Sequence, residues 1–320
     1  MSEIQKVSIA VCTYNGEKYL REQLNSLLAQ TYPIFEIVIQ DDGSKDGTWH
    51  IIEEYMAKYP NLIRGIRNKK NLDWNQNFYA AIMNCTGDYI ALCDQDDYWM
   101  PNKIELQMQD IGDTMLNVCS SYYWRGDELT PRINKLVNLE YMSLYFGYCG
   151  HQFLMKKEMR QYVPFAKKID MAHDRYFAMV AQYFSSISVS DRLLVKWRRH
   201  DTNTTGDLVV DSASSMQKIK FAARSLVKRG GGTSMVISRA GKKYYDLFEY
   251  LYEKDKSVKH SREIMIMWRC LMQQKLIGYI KVGLILYKMR KELGWNYGFK
   301  TLYSAMTYPF KWWYIHQKDL

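Results

Sequence analysis

Three carboxylates fall within four residues at Asp94-Gln95-Asp96-Asp97, directly after the apolar run Tyr89-Ile90-Ala91-Leu92-Cys93. Like charges this close repel and raise one another's pKa. A buried-looking strand that ends this way has two readings. One is an acidic surface turn, with Asp97 capping a helix from Trp99 onward. The other is an Asp94-x-Asp96 pair whose side chains share one face by strand alternation. Such a pair suits a divalent cation, and oxygen ligands select Mg2+ or Mn2+. A cation with so few protein ligands needs further oxygens, which a substrate diphosphate supplies. Two other clusters could join this chemistry. His173-Asp174 offers an imidazole and a carboxylate. Arg198-Arg199-His200 offers guanidinium groups, which match phosphate oxygens with a planar fork.

The elements that must position these groups follow from periodicity. Residues 7–12 (VSIAVC) read as a strand that stops at Thr13-Tyr14-Asn15-Gly16. Leu20, Leu24, Leu27 and Leu28 recur at helical spacing over 17–30. FEIVIQ is a second strand, closed by DDGSKDGT; 48–58 is a helix, LIRGIRN a short strand, 74–84 a helix and DYIALCD another strand. This βαβαβαβ alternation predicts an α/β fold with a mostly parallel sheet flanked by helices. In such sheets the ligand sits beyond the carboxyl ends of the strands. Three polar strand ends, CTYN, QDDGSKDGT and CDQDD, therefore converge on one edge. A helix is expected through MAHDRYFAMVAQYF and a strand through LVKWRR. The polar stretch TNTTGDLVVDSASS marks a boundary near 206, and mostly helices follow it.

The 320 residues allow one large or two modest domains. Net charge is +10, but residues 206–320 hold 21 Lys and Arg against 9 Asp and Glu, whereas residues 1–205 hold 23 against 25. The basic C-terminal third suggests an anionic partner surface. The six cysteines are scattered without a CxxC pair, as expected of reduced thiols in a cytoplasmic protein, and a zinc site is not expected. The opening residues run straight into a strand-like segment with no leader pattern. The longest apolar stretch, 276–289, is interrupted by Lys281 and Lys288, so no membrane span is expected.

The motifs TYNGEKYL, DDGSKDGT, GDYIALCDQDD and HDRYF, in this order, resemble the family-2 glycosyltransferases with the GT-A nucleotide-diphospho-sugar fold. The resemblance is strong over 5–110, fair to about 206 and weak beyond. The form DQDD-x-W-x-P-x-K looks most like bacterial rhamnosyltransferases of cell-wall and capsular polysaccharides. It implies a nucleotide-binding half at 1–112, an acceptor-binding half at 113–206 and a basic, mainly helical extension at 207–320. By the same resemblance, Asp42 receives the N3–H of a uracil or thymine ring, and Tyr14 with the backbone near Thr13 flanks that base. A turn built on DDGS is the rival reading for Asp41 and Asp42. Asp94 approaches the ribose or the metal, Asp96 is the main metal ligand, and Asp97 is a further candidate for sugar hydroxyls. His200 is a third metal ligand or a diphosphate contact, with Arg198 and Arg199 beside it; a solvated charge run is the rival reading. Asn77 is a nucleotide contact, in a loop where Asn71-Leu72-Asp73 departs from the family's N-x-G. Asp46 reads as a turn or cap residue, and Asn203 as ordering its loop. An inverting transfer needs a general base on the acceptor side. Asp174 takes that role; capping its own helix is the alternative. His173 either contacts acceptor or packs. Trp74 and Trp99 either stack on a sugar or belong to the core.

Apolar and basic residues interleave over 262–292, and Lys311, Trp312, Trp313 and Tyr314 follow near the end. This pattern suits a helix on an anionic bilayer, as a polyprenyl-linked acceptor would require. Packing on the catalytic domain or on a second subunit is the alternative. No nucleic-acid motif is present. The resulting expectation is a metal-dependent inverting glycosyltransferase, cytoplasmic and peripheral to the inner membrane face. It uses Mn2+ or Mg2+ and a nucleotide-diphosphate sugar, first dTDP-rhamnose and then UDP-hexoses. A homo-oligomer is left open. The rivals are a nucleotidyltransferase, which would carry a Gly-rich basic loop after the first strand, and a non-catalytic membrane-bound assembly partner.

Overall fold

The computed structural model describes residues 4–144, 148–200, 232–273, 276–295 and 305. The chain divides into two compact units, one of Met1–Val137 with Phe146–Thr204, the other of Asn138–Tyr145 with Thr205–Leu320. The boundary expected near 206, Asn203, and the Lys311–Tyr314 cluster lie outside the described residues.

The first unit is built on one nine-stranded mixed sheet. Strands β1 (Val7–Thr13), β2 (Glu36–Asp41), β3 (Ile63–Arg67) and β4 (Tyr89–Cys93) are parallel. Helices α1 (Glu17–Leu28), α2 (Thr48–Lys58) and α3 (Trp74–Asn84) make the crossovers. All seven residues of β1 are buried. Helices cover both faces of a parallel sheet, so its strands meet no solvent. Leu20, Leu24 and Leu27 of α1 are fully buried among Val11, Ile39 and Ile51. Each contributes about 1.5–3 kcal/mol.

The second half of the sheet departs from the parallel expectation. After β5 (Tyr98–Trp99) and α4 (Lys103–Ile111), the long β6 (Leu116–Arg125) folds back through β7 (Glu128–Arg132) as a hairpin. β8 (Phe153–Lys156) inserts antiparallel between β4 and β6, following a 3-10 turn at Gly150–Gln152. α6 (Val163–Ile169) and α7 (His173–Tyr183) precede β9 (Ile187–Arg198), which runs parallel to β6 and carries β5 on its other edge. The strand order is β3-β2-β1-β4-β8-β6-β9-β5, with β7 paired to β6. β4 therefore has β1 on one side and β8 on the other, and its carboxyl end opens between the two halves of the sheet.

The second unit is helical: α5 (Leu139–Leu144), α8 (Gly232–Lys254), α9 (Ser261–Gln273) and α10 (Leu276–Lys288). Trp268 lies flat on Tyr244 at 4.0 Å between ring centroids, beside buried Leu247, Phe248, Leu251 and Met267. His260 Nδ1 lies 2.7 Å from Glu140 Oε1, tying α5 to the start of α9. Among the described residues no helix is long and apolar enough to cross a membrane.

Candidate active site

The acidic turn begins where β4 stops. Cys93 is the last ladder residue, so residues 94–97 form a turn to which strand alternation no longer applies. Strand alternation therefore does not set the directions of Asp94 and Asp96, and each carboxylate has its own histidine beside it. Asp96 Oδ2 lies 2.8 Å from His200 Nε2, whose ring stacks on Tyr19 at 4.8 Å. Asp94 meets His151, with Nδ1 3.5 Å from Asp94 Oδ2 and 3.7 Å from Asp97 Oδ2. Ligand atoms of Asp94, Asp97 and His151 all lie within 4.8 Å of one another.

The burial of this set is unusual for charged groups. Asp97 and His151 are 0% and 1% exposed. Asp97 Oδ1 accepts the backbone N–H of Arg198 at 2.9 Å, whereas Asp97 Oδ2 has no hydrogen-bond partner. Burial, reinforced by Asp96 and Asp94, holds the Asp97 carboxyl well above the ordinary carboxylate range. Burial and Asp94 likewise raise Asp96, against the pull of His200. Burial lowers His151. Without a cation the Asp97–His151 pair is therefore driven toward neutrality, and a divalent cation would supply the missing positive charge. The carboxylate oxygens, one of them buried and unpartnered, suit a hard divalent cation, and the imidazole nitrogen beside them suits Mn2+ better than Mg2+.

Distant segments hold the turn in place. Gln95 takes both backbone groups of Tyr14: Tyr14 N–H donates to Oε1 at 2.8 Å and Nε2 donates to Tyr14 O at 3.0 Å. Gly16 is required beside this clamp, since a Cβ there would fall 2.1 Å from Gln95 Oε1. Arg198 donates from Nε to Asp96 O at 2.8 Å, pairs with Glu22, and lies 3.7 Å over the Trp124 ring. Its guanidinium thus serves the turn itself. Arg199 donates its N–H to Trp124 O and covers the Trp197 ring at 4.6 Å. Beneath the turn, Trp99 is fully buried with Lys103 Nζ 3.7 Å from its ring centroid, so of its two readings the core is observed. Burial pushes the Lys103 ammonium down to about 8.

At the end of β2, Asp41 builds the turn. Its carboxylate accepts from Thr13 Oγ1 (3.0 Å), from Ser44 N (3.0 Å) and from Ser44 Oγ. Gly43 takes a left-handed backbone there, a conformation that costs glycine nothing. Asp42 is buried and differently held: Oδ1 accepts from Asn68 Nδ2 at 2.8 Å and Leu72 N at 2.7 Å. The departing Asn71-Leu72 segment thus wraps Asp42. Asn77 is 2% exposed, donates to Gln40 O at 2.9 Å and accepts from Asn68 at 2.8 Å. Its amide is thus engaged within the protein, one bond behind Asp42. Tyr14 is 45% exposed at the mouth of this edge, and the Thr13 side chain is buried on Asp41.

Asp174 occupies the first turn of α7, half-buried, with Oδ1 accepting its neighbour's N–H (Arg175) at 2.6 Å. Asn75 fixes the entry to this helix. It accepts His173 N–H at 2.8 Å and donates to Met171 O at 2.8 Å, which also receives Tyr79 OH at 2.7 Å. His173 packs: it is 4% exposed, stacked on Phe78 at 4.1 Å and edge-on to Trp74 at 5.5 Å. The turn that carries His151 lies against this helix start: a Cβ on Gly150 would fall 2.5 Å from His173 Nε2. Asp46 accepts Thr48 N–H at 3.1 Å at the start of α2, as a turn residue does.

His151, Asn75, Asn68 and Gln95 carry much of this geometry, and none of them is among the residues expected from the sequence. Gln95 lies inside the acidic motif and could have been suspected from it. His151 has no spacing to betray it, because it reaches Asp94 only through the antiparallel insertion of β8.

Residues 8–180 match the model of glycosyl transferase family 2. An uncharacterized glycosyltransferase of Haemophilus influenzae is 26% identical over 315 residues, covering 92% of this chain and 96% of that protein. The chain spans only 30% of the length of uncharacterized proteins of Mycobacterium bovis and Mycobacterium tuberculosis, to which it is 42% identical over 106 residues. The crystal structure of Staphylococcus aureus TarS 1-349 with UDP matches 98% of this chain and 90% of that one, with a TM-score of 0.59 at 16% identity. A Pyrobaculum calidifontis mannosyltransferase with GDP-Man and Mn2+ matches 99% and 88%, with a TM-score of 0.50 at 12% identity. At these identities the structural likeness is one of fold.

Proposed function

The chain belongs to glycosyl transferase family 2, and we propose from that premise that it is a metal-dependent inverting transferase. In this reading it moves a sugar, rhamnose from dTDP-rhamnose first and a UDP-hexose second, onto a polyprenyl-linked precursor of a cell-surface polysaccharide. What supports the reading is that Asp42 and the Asp94–Asp97 turn follow the ends of β2 and β4, while the Gly150–Gln152 turn that carries His151 to Asp94 lies against His173, the neighbour of Asp174. TarS holds UDP and the Pyrobaculum calidifontis mannosyltransferase holds GDP-Man on the same fold, so the preference for a pyrimidine base rests on the motif resemblance.

Asp42 accepts the N3–H of the base, with Tyr14 against its ring. Asp94 and Asp96, with Asp97, His151 and His200 as further donors at hand, would hold the cation, which would supply positive charge for the departing diphosphate. Asp174 accepts the proton of the acceptor hydroxyl as that oxygen attacks the anomeric carbon. The new C–O bond forms as the bond to the nucleotide diphosphate breaks on the opposite side of the carbon, which inverts it. Arg199 stands beside this edge, and Arg198 keeps the turn in shape. The protein works at the inner face of the cell membrane, which the basic C-terminal region contacts.

The test is nucleotide-diphosphate release with Mn2+ or Mg2+, screened over dTDP-rhamnose, UDP-glucose, UDP-galactose and UDP-N-acetylglucosamine, with and without a lipid-linked acceptor mimic. Release from one donor that Asp96→Ala and Asp174→Asn both abolish is expected. No release and no metal-dependent nucleotide binding would overturn the enzyme reading in favour of an assembly partner.

A further inference from the structure

Helix α10 presents apolar side chains on two sides. Tyr279, Val282 and Leu286 are 3%, 0% and 0% exposed and build the core of the helical unit. On the opposite side Ile277, Ile280, Leu284 and Tyr287 are 80%, 46%, 59% and 37% exposed. Their 3-4-3 spacing makes one stripe along the helix. They are four of the five exposed large apolar side chains described in this unit. Lys281 and Lys288, four residues after Ile277 and Leu284, run along one shoulder of the stripe, both exposed. Lys288 also pairs with Glu263, a solvent-facing contact that a headgroup phosphate can replace. The Arg290 guanidinium lies 4.6 Å over the Tyr287 ring at the end of the helix.

A contiguous exposed apolar stripe marks an interaction surface. Its chemistry selects the partner. A protein partner would bury the stripe and its lysines together, and the ammonium groups would then need carboxylates opposite them. A bilayer boundary takes the apolar side chains into the acyl region and leaves lysine heads among the headgroups, where long stems snorkel. Each lysine near an anionic surface adds attraction. The region 206–320 carries 21 Lys and Arg against 9 Asp and Glu. We propose that the outward face of α10 is a monotopic membrane-docking surface. Ile277, Ile280, Leu284 and Tyr287 enter the headgroup–acyl boundary of an anionic bilayer, with Lys281 and Lys288 on its phosphates. The helix stays folded into its unit throughout, because its other side is the unit's core. The inference rests on the proposed lipid-linked acceptor for its purpose but not for its observation.

The experiment is co-flotation of the full chain with two kinds of vesicle, free of donor and acceptor. One is phosphatidylcholine alone; the other mixes two parts of phosphatidylcholine with one of phosphatidylglycerol. The wild type is expected to float with the anionic vesicles and to be released by salt. The double variant Ile277→Asp/Leu284→Asp is expected to lose at least tenfold in partitioning with an unchanged melting temperature, since both side chains face out. Lys281→Glu is expected to lose less. Wild type that does not float with anionic vesicles overturns the proposal. So does a double variant that floats as well as wild type, or equal flotation with neutral vesicles. Concentration-dependent self-association abolished by the double variant, without vesicle binding, also overturns it and assigns the face to a second copy. Nucleotide-diphosphate release is measured separately, so failure of the transferase reading leaves the flotation result standing, and the reverse.

Discussion

Replacing Asp97 by Asn should stabilise the metal-free protein and weaken its response to metal. Asp97 Oδ2 is buried without a hydrogen-bond partner, within 4.8 Å of the Asp94 oxygen. Two unit charges at that separation repel by about 3.5 kcal/mol at an effective dielectric of ~20. Asp94 has a side chain that is 39% exposed. Solvent screening of such a half-open pair reduces the repulsion to about 1 kcal/mol. Asn retains the acceptor that Arg198 N–H uses and turns an amide donor toward Asp94. In EDTA at pH 7 the variant should therefore gain about 1 kcal/mol, a rise in melting temperature of roughly 2–4 °C for a unit of this size. The pH dependence has a definite sign. The folded-state pKa of Asp97 is raised. Its cost is therefore absent at or below ordinary carboxylate pKa values, near pH 4, and grows as pH rises toward the folded value. The gap between variant and wild type should close on acidification. With saturating Mn2+ the order should reverse, because ligand binding stabilises in proportion to the logarithm of its concentration over Kd and the variant has lost a ligand. Melting curves in EDTA and in Mn2+, at pH 4.5 and 7, check all three statements. A variant less stable than wild type in EDTA would show that a protonated His151 already compensates the carboxylate. An equal Mn2+ shift in both proteins would remove Asp97 from the metal site.

Two further expectations concern the acceptor side. Asn75→Ala removes the bonds to His173 N–H and Met171 O; Met171 O keeps Tyr79 OH, so leaving His173 N–H unpaired should cost about 1–3 kcal/mol. It should also lower sugar transfer while leaving nucleotide affinity unchanged, as calorimetry with the nucleotide diphosphate can read. His173 is held below its ordinary pKa by burial. The unfolded chain therefore takes up a proton first, and stability is lost as pH falls below about 6.5. His173→Phe, which keeps the stack on Phe78, should flatten that loss between pH 7.5 and 5.5, leaving the share due to His151.

The parallel half of the fold was legible because each strand is a short apolar run ended by turn residues and each helix shows leucine or aromatic spacing. Helices 48–58 and 74–84 coincide with α2 and α3. In the second half the strand through LVKWRR and the helix from His173 were legible, but β6 and the order of pairing were not, since the registers are set by distant segments and β6 buries Asn117, Ser120 and Ser121. The same divide runs through the site. Asp42, Asp94, Asp96 and Asp174 follow strand ends or open a helix and could be named from motifs. Asn68, Asn75 and His151 act through contacts with no sequence period. The assumption of strand alternation across Asp94 and Asp96 failed for a local reason, the end of the β4 ladder at Cys93.

The acidic turn is electrically unfavourable and mechanically clamped, and these two facts belong together. Repelling carboxylates left to themselves would splay into solvent and neutralise the site. Here the β1 loop grips the turn through Gln95 and Tyr14, the end of β9 grips it through Arg198 and His200, and the 150–152 turn closes it with His151. The β1 and β9 clamps bond chiefly to backbone atoms or single oxygens, so they fix position, and Arg198 and His200 offset the negative charge only in part, since Asp96 and Asp97 stay raised. A site held this way meets a cation and diphosphate with its dipoles already in place, and little reorganisation remains when the leaving group departs. Loss of a clamp should accordingly appear first in metal affinity, whereas loss of Asp174 should appear in turnover with metal affinity intact.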